Sequence, residues 1–256
     1  MAETDSTPIA ENEQVKELLA LLKENNAPGY EEFSKLIGHV SEMEQRLSEA
    51  TEELKAIRQE MQGLQNHSLK ESIQKSCKDL EANVAVMRQR LSKLKEQIID
   101  GCRNILTDFK ERGAVALNGI TRFLHIRPAL EAVQNASEKG IQACNRAVSR
   151  IDAFSTEYHE AGRHFKNMGR TLQGKPAEAE AKENGKLASI FKGGFKVQRT
   201  FIASISRSAE RSLNTLARLE QTAERRPSVL KAMREQATKT ESAKKQPLPS
   251  HDKESR

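Results

Sequence analysis

The chain has 256 residues with no Trp, two Tyr and eight Phe, and 36% of it is hydrophobic against 30% charged. So few large side chains exclude a thick globular core and suit thin bundles whose helices each bury one stripe. The net charge of +6 is unevenly spread: residues 1–66 carry 6 Lys/Arg against 14 Asp/Glu, and residues 67–256 carry 36 against 22. An acidic start and a basic remainder point either to a polyanion partner or to one end docking on the other.

Residues 1–11 are polar and expected to be disordered. Asn12 is a plausible cap for a short helix to about Asn25, with Val15, Leu18, Leu19 and Leu22 on one face. Asn25-Asn26-Ala27-Pro28-Gly29 stops it, since Pro cannot continue a helix and Asn and Gly tolerate left-handed backbone. From Phe33 the apolar or small positions are Phe33, Leu36, Val40, Met43, Leu47, Ala50, Leu54, Ile57, Met61 and Leu64. Their steps alternate three and four, a 3.5-residue period that requires a left-handed supercoil with a partner. Residues 12–66 are therefore read as an acidic helical hairpin with a coiled-coil seam. That seam is expected to meet a protein partner or a second copy.

Ser68-Leu69-Lys70-Glu71 has capping-box spacing, and the heptad phase is lost before it. These signals place a reversal near Asn66. A long helix from Leu69 to about His125 follows, with Cys77 and Cys102 on its stripe and a kink expected near Gly113 and Gly119. The next helix, Pro128 to Leu172, has a stripe of Leu130, Val133, Ile141, Cys144, Val148, Ile151, Phe154, Tyr158, Phe165, Met168 and Leu172. Residues 67–173 thus form a long antiparallel pair, and 174–185 are a polar linker. Residues 186–240 are a basic helical segment, broken at Pro227, and 241–256 a disordered tail. The expected fold is all-α: an elongated antiparallel helical bundle with coiled-coil segments.

Chemistry is sparse along these helices. His159-Glu160-Ala161-Gly162-Arg163-His164 misses the H-E-x-x-H zinc motif. Histidines five apart diverge by about 140° on a helix and cannot share one ion. Lys192-Gly193-Gly194-Phe195 lacks the spacing of a phosphate loop. Cys77, Cys102 and Cys144 are odd in number, lack any C-x-x-C and read as buried free thiols. No catalytic residue, metal or cofactor is expected. No apolar run reaches the roughly 20 residues of a membrane span, and the acidic start is not a secretory signal, so a cytoplasmic location is expected.

One stretch has electrostatic content. Between Glu183 and Glu210 there is no acid, while Lys192, Lys196, Arg199 and Arg207 supply cations. The first three share a helix face and could contact phosphates; alternatively they complement the acidic hairpin. The leading expectation is a non-enzymatic interaction or scaffold protein, with nucleic-acid binding through 186–226 as the alternative.

Glu13-Gln14-Val15-Lys16-Glu17-Leu18-Leu19, Tyr158-His159-Glu160-Ala161-Gly162-Arg163-His164, Lys166-Asn167-Met168-Gly169-Arg170 and Arg226-Pro227-Ser228 together resemble an uncharacterised family of helical proteins. That family is encoded on conjugative or integrative mobile elements of bacteria. The resemblance implies a bacterial cytoplasm and an accessory role to such an element. It brings no activity and no site residues.

Overall fold

In the computed structural model, which describes residues 7–65, 67–176 and 186–244, the helix boundaries follow from local chemistry. Asn12 Oδ1 accepts from the amides of Gln14 (3.1 Å) and Val15 (3.4 Å), satisfying donors that every helix start leaves open. Helix α1 then runs Glu13–Glu24. Asn26, at φ 47°, helps turn the chain into α2, Tyr30–Gln62. Helix α3 spans His67–Arg112. Asn66, the expected point of reversal, lies outside the described residues, and Ser68, expected as the cap, is already helical.

The sequence pattern carries α3 to His125, but the α-helix stops at Arg112. Gly113 sits at φ +64°, backbone that glycine adopts without the Cβ penalty of other residues. Residues Gly113–Ile126 continue as a 3₁₀ stretch. Helix α4, Arg127–Leu172, has Pro128 in its first turn, where a missing amide costs no hydrogen bond. It ends in a Schellman turn. The amides of Lys175 and Gly174 donate to the carbonyls of Arg170 (2.9 Å) and Thr171 (3.0 Å), with Gly174 at φ +70°.

Helix α5 is Lys186–Lys244 and continues through Pro227, where a break was expected. A proline removes one interior hydrogen bond at a cost of about 3 kcal/mol, and the packing that anchors α5 as far as Leu219 can absorb it. At the other end, Ile9–Glu11, expected to be disordered, form a 3₁₀ turn. Ile9 is fully buried, and its amide donates to Glu44 Oε2 at 2.8 Å.

Side-chain bridges set the registers. Between α2 and α3, Arg58 meets Glu81 (2.7 Å), Thr51 meets Arg88 (3.1 Å) and Glu44 meets Lys95 (3.3 Å). Each step forward in α2 is matched by an equal step back in α3. Asp79 pairs with Arg150 (3.3 Å) across α3 and α4. Asp152 pairs with Lys192 (2.6 Å) and Arg127 with Glu220 (2.8 Å) across α4 and α5. Glu42 of α2 accepts from Ser208 of α5 (2.9 Å) and lies 3.6 Å from Arg211. Helix α2 therefore neighbours α3 and α5, and α4 neighbours the same two. This is an up-down-up-down four-helix bundle with α1 laid against α3 and α2, and the expected all-α antiparallel fold is the one observed.

The seam lies inside it. Phe33, Leu36, Val40, Met43, Leu47, Ala50, Leu54, Ile57 and Leu64 are buried, and Met61 is half-buried. The helices that cover the seam are α3 and α5 of the same chain. Helix α5 lies close against α2 at Gly194, where a Cβ would stand 2.9 Å from Ile57 Cγ1, so this contact requires the absence of a side chain. Farther along α5, Gln198 is fully buried with neither amide atom hydrogen-bonded among the described residues. An unsatisfied buried polar group costs about 1–3 kcal/mol. Gln198→Leu is therefore expected to raise stability in urea titration by that amount, and a loss would show that the amide is satisfied.

All three cysteines are buried and unpaired. Burial pushes the Cys77 thiol up to about 11, with Glu81 adding to the shift, and pushes Cys102 and Cys144 to about 12. Since the thiolate is the reactive form, folded protein at pH 8 should take up a thiol reagent slowly and denatured protein quickly. Fast stoichiometric labelling of the folded chain would contradict the packing described.

Candidate interaction surface

The interior face of α4 follows a single heptad register: Leu130, Val133, Ser137, Gly140, Cys144, Ala147, Ile151, Phe154, Tyr158, Ala161, Phe165, Met168 and Leu172, with steps of three and four throughout. Leu130 to Ile151 are buried. Small residues hold several of these places, while Ile141 and Val148, expected on the stripe, are half-buried beside it.

Among the described residues, the second part of the register has no such cover. Asp152 faces Lys192, so the antiparallel register sets Lys186, the first residue of α5, level with about Tyr158. Asp79 faces Arg150, which sets His67, the first residue of α3, level with about Gly162. Helix α4 runs on past both to Leu172, an overrun of about 15–20 Å at 1.5 Å per residue. Along it Tyr158 is 59%, Phe165 72%, Met168 59% and Leu172 84% exposed. The sequence places these side chains on a buried stripe, and the structure leaves them in solvent. The period fixes which residues share a face, while the ends of the neighbouring helices fix whether that face is covered.

The base of the overrun is ordered by aromatic contact. Phe154, half-buried, stacks on Tyr158 with ring centroids 6.0 Å apart, and Tyr158 meets the edge of His159 at the same separation. The far end is held by the Schellman turn and by Arg170, whose Nε donates to the Pro176 carbonyl at 2.8 Å. Gly162 and Gly169 lie seven apart on one flank of the stripe, and a Cβ on either would meet no atom within 4 Å. Each costs the helix about 1 kcal/mol relative to Ala, with no packing among the described residues to require it. Charge changes sign along the overrun, from Glu157 and Glu160 to Arg163, Lys166 and Arg170.

The cations of α5 are distributed differently. Lys192 is half-buried and turned onto Asp152 of α4. Lys196, Arg199 and Arg207 are exposed, and none of them pairs with a carboxylate among the described residues. His159 and His164 belong to no group of three His, Cys, Asp or Glu placed to hold a metal among the described residues. No described helix is long and apolar enough to cross a membrane.

An antiparallel four-helix bundle with one helix over-running its neighbours defines the architectural class. Over residues 11–256 the sequence matches the model of a family of unknown function, DUF6674, and the chain belongs to that family. No curated protein matches it, and no solved structure does.

Proposed function

We propose that this protein is a non-catalytic helical interaction protein that takes a partner helix, itself bearing an apolar heptad stripe, along the overrun of α4. One observation carries the reading: the register that packs the bundle interior up to Ile151 continues unchanged through Tyr158, Phe165, Met168 and Leu172, which lie in solvent. A coiled-coil stripe is stable when another helix's knobs fill its holes, and exposed apolar patches of this kind mark interaction sites. In the mobile-element setting that the family resemblance implies, the role is that of an accessory scaffold.

The alternative, nucleic-acid binding through α5, draws on the exposed Lys196, Arg199 and Arg207. A photo-crosslinking residue in place of Phe165, in cells making the full chain, separates the two. A discrete protein adduct is expected, lost when Met168→Ser and Leu172→Ser are added, with the melting temperature unchanged because both side chains are exposed. Absence of that adduct, together with salt-sensitive DNA retention abolished by Lys196→Gln and Arg199→Gln, would overturn the proposal in favour of the alternative.

A further inference from the structure

Charge in this bundle is separated across its diagonal. Helix α3 has no acid between Glu81 and Glu96, α4 none between Glu138 and Asp152, and α5 none before Glu210. The side-chain pairs bring these three windows to one level. Asp79 on Arg150 sets Arg90 of α3 level with Lys139 of α4. Asp152 on Lys192 sets Lys196 and Arg199 of α5 level with about Val148 and Asn145. Helix α2 neighbours α3 and α5 and stands diagonally from α4. Over the same length it carries Glu44, Glu49, Glu52 and Glu53. We infer that the side of the bundle centred on α4, with α3 and α5 as its flanks, is a second interaction surface, which lies along the phosphate backbone of a nucleic-acid duplex.

The cations form two rows. Lys139 and Arg146 lie on the flank of α4 that Arg150 turns toward α3, and there Arg90 and Lys93 of α3 join them. On the other flank Lys196 and Arg199 follow Lys192 by one and two turns, on the α5 face that Lys192 turns toward α4. All six are exposed, and none pairs with a carboxylate among the described residues. Elsewhere the grooves are bridged by opposite charges, as at Arg58 with Glu81 and Arg127 with Glu220. Here Arg90 and Lys139 stand level with no acid between them, and like charges held close repel. Anions supplied from outside relieve that repulsion.

The spacing and the chemistry of this side select the partner. Between the rows runs the outward ridge of α4, where Gln142, Asn145 and Ser149 are polar, uncharged and exposed. The rows therefore stand one helix diameter apart, about 10–12 Å, close to the ~12 Å width of a duplex major groove. Phosphates on the two walls of such a groove fall over the two rows. No aromatic side chain is exposed on this side among the described residues, so unpaired bases find nothing to stack on. Val86 is its one large exposed apolar side chain among them. A lipid surface takes a whole apolar helix face, which this side does not offer. The apolar stripe of the overrun begins only at Tyr158, beyond these rows, so the two surfaces do not compete.

Fluorescence anisotropy of the full chain with a short mixed-sequence DNA duplex should show binding that weakens steeply with salt. At about 0.9 per phosphate contacted, the log–log slope should be roughly 4–6. Lys139→Gln with Arg146→Gln should lower that slope by about two and leave the melting temperature unchanged, since both side chains are exposed. Lys35→Gln with Lys55→Gln removes the same charge from α2 and should leave the slope alone. Phe165→Ser with Met168→Ser should leave it alone too, so failure of this surface and failure of the overrun are told apart. No binding at about 50 mM salt would overturn the inference. So would a slope that Lys139→Gln and Arg146→Gln leave unchanged while Lys196→Gln lowers it, because α5 would then act by itself. Tighter binding to the single strand, or to phosphatidylserine vesicles, would overturn the duplex as the partner.

Discussion

Leu47→Asp is expected to produce the largest loss of stability of any single change in the seam. Leu47 lies in the middle of α2, only 6% exposed, with α3 and α5 covering the seam on which it sits. A carboxylate there loses its hydration and gains no designed partner, so several kcal/mol of stability should disappear at neutral pH. Part of the cost is removed by taking up a proton, and this fixes the pH dependence. Burial raises the folded-state pKa of such a group above its unfolded value near 4. The folded form then binds the extra proton more tightly, and the penalty grows as pH rises through that window. Urea midpoints at pH 4 and pH 7 should therefore differ more for the variant than for the parent, with the variant relatively better at pH 4. An equal deficit at both values would mean that the side chain escapes to solvent.

The second large effect is expected at Lys95. This lysine is among the few charged side chains in the interior, 8% exposed. It pairs with Glu44 at 3.3 Å and also donates to the carbonyl of Thr7. Glu44 in turn accepts from the Ile9 amide, so one ion pair both ties α3 to α2 and straps the N-terminal segment over the bundle. Lys95→Met removes the cation and leaves a largely buried carboxylate. Breaking one partner of a buried pair typically costs about 3–5 kcal/mol, and the partial exposure of Glu44 puts the expectation at the low end. Lys95→Met with Glu44→Met should recover most of the loss, because neither charge is then stranded. Hydrogen exchange should locate the damage as faster exchange at the Ile9 amide. A double variant no better than the single one would place the loss in packing rather than in charge.

The features legible from the sequence were those written over a few residues or a short period. Asn12 reads as a cap from its chemistry and its place before a leucine face, and it caps. The seam from Phe33 to Leu64 reads as one buried face because 3.5-residue spacing sets its apolar side chains on one side of the helix, and it is buried except at Met61, which is half-buried. The thiols read as interior because each sits on or beside a stripe. Features that depend on which helix stands opposite were not legible. Nothing near Leu36 or Val40 says that α5, entering some 150 residues later, will cover them alongside α3. The exposure of Phe165 and Leu172 was hidden for the same reason, since it is set by where α3 and α5 begin. Ile9 was missed because one apolar residue in a polar stretch leaves no period to detect, though its pocket makes it an anchor.

The closure of the ring by α5 has a temporal consequence. The hairpin of α2 and α3 joins near neighbours in the chain, whereas the contact of Ser208 with Glu42 spans 166 residues. Local contacts form before distant ones, because closing a long loop is entropically slow. During synthesis at about 5–20 residues per second, one side of the α2 seam waits roughly 10–30 s for the helix that will cover it. Over that interval Leu36, Val40 and Met43, buried in the finished bundle, lack the cover that α5 supplies. The glutamates at 42, 44, 49, 52 and 53 that flank the seam give every emerging α2 helix the same negative sign. Two nascent copies repel one another until a basic helix of their own arrives.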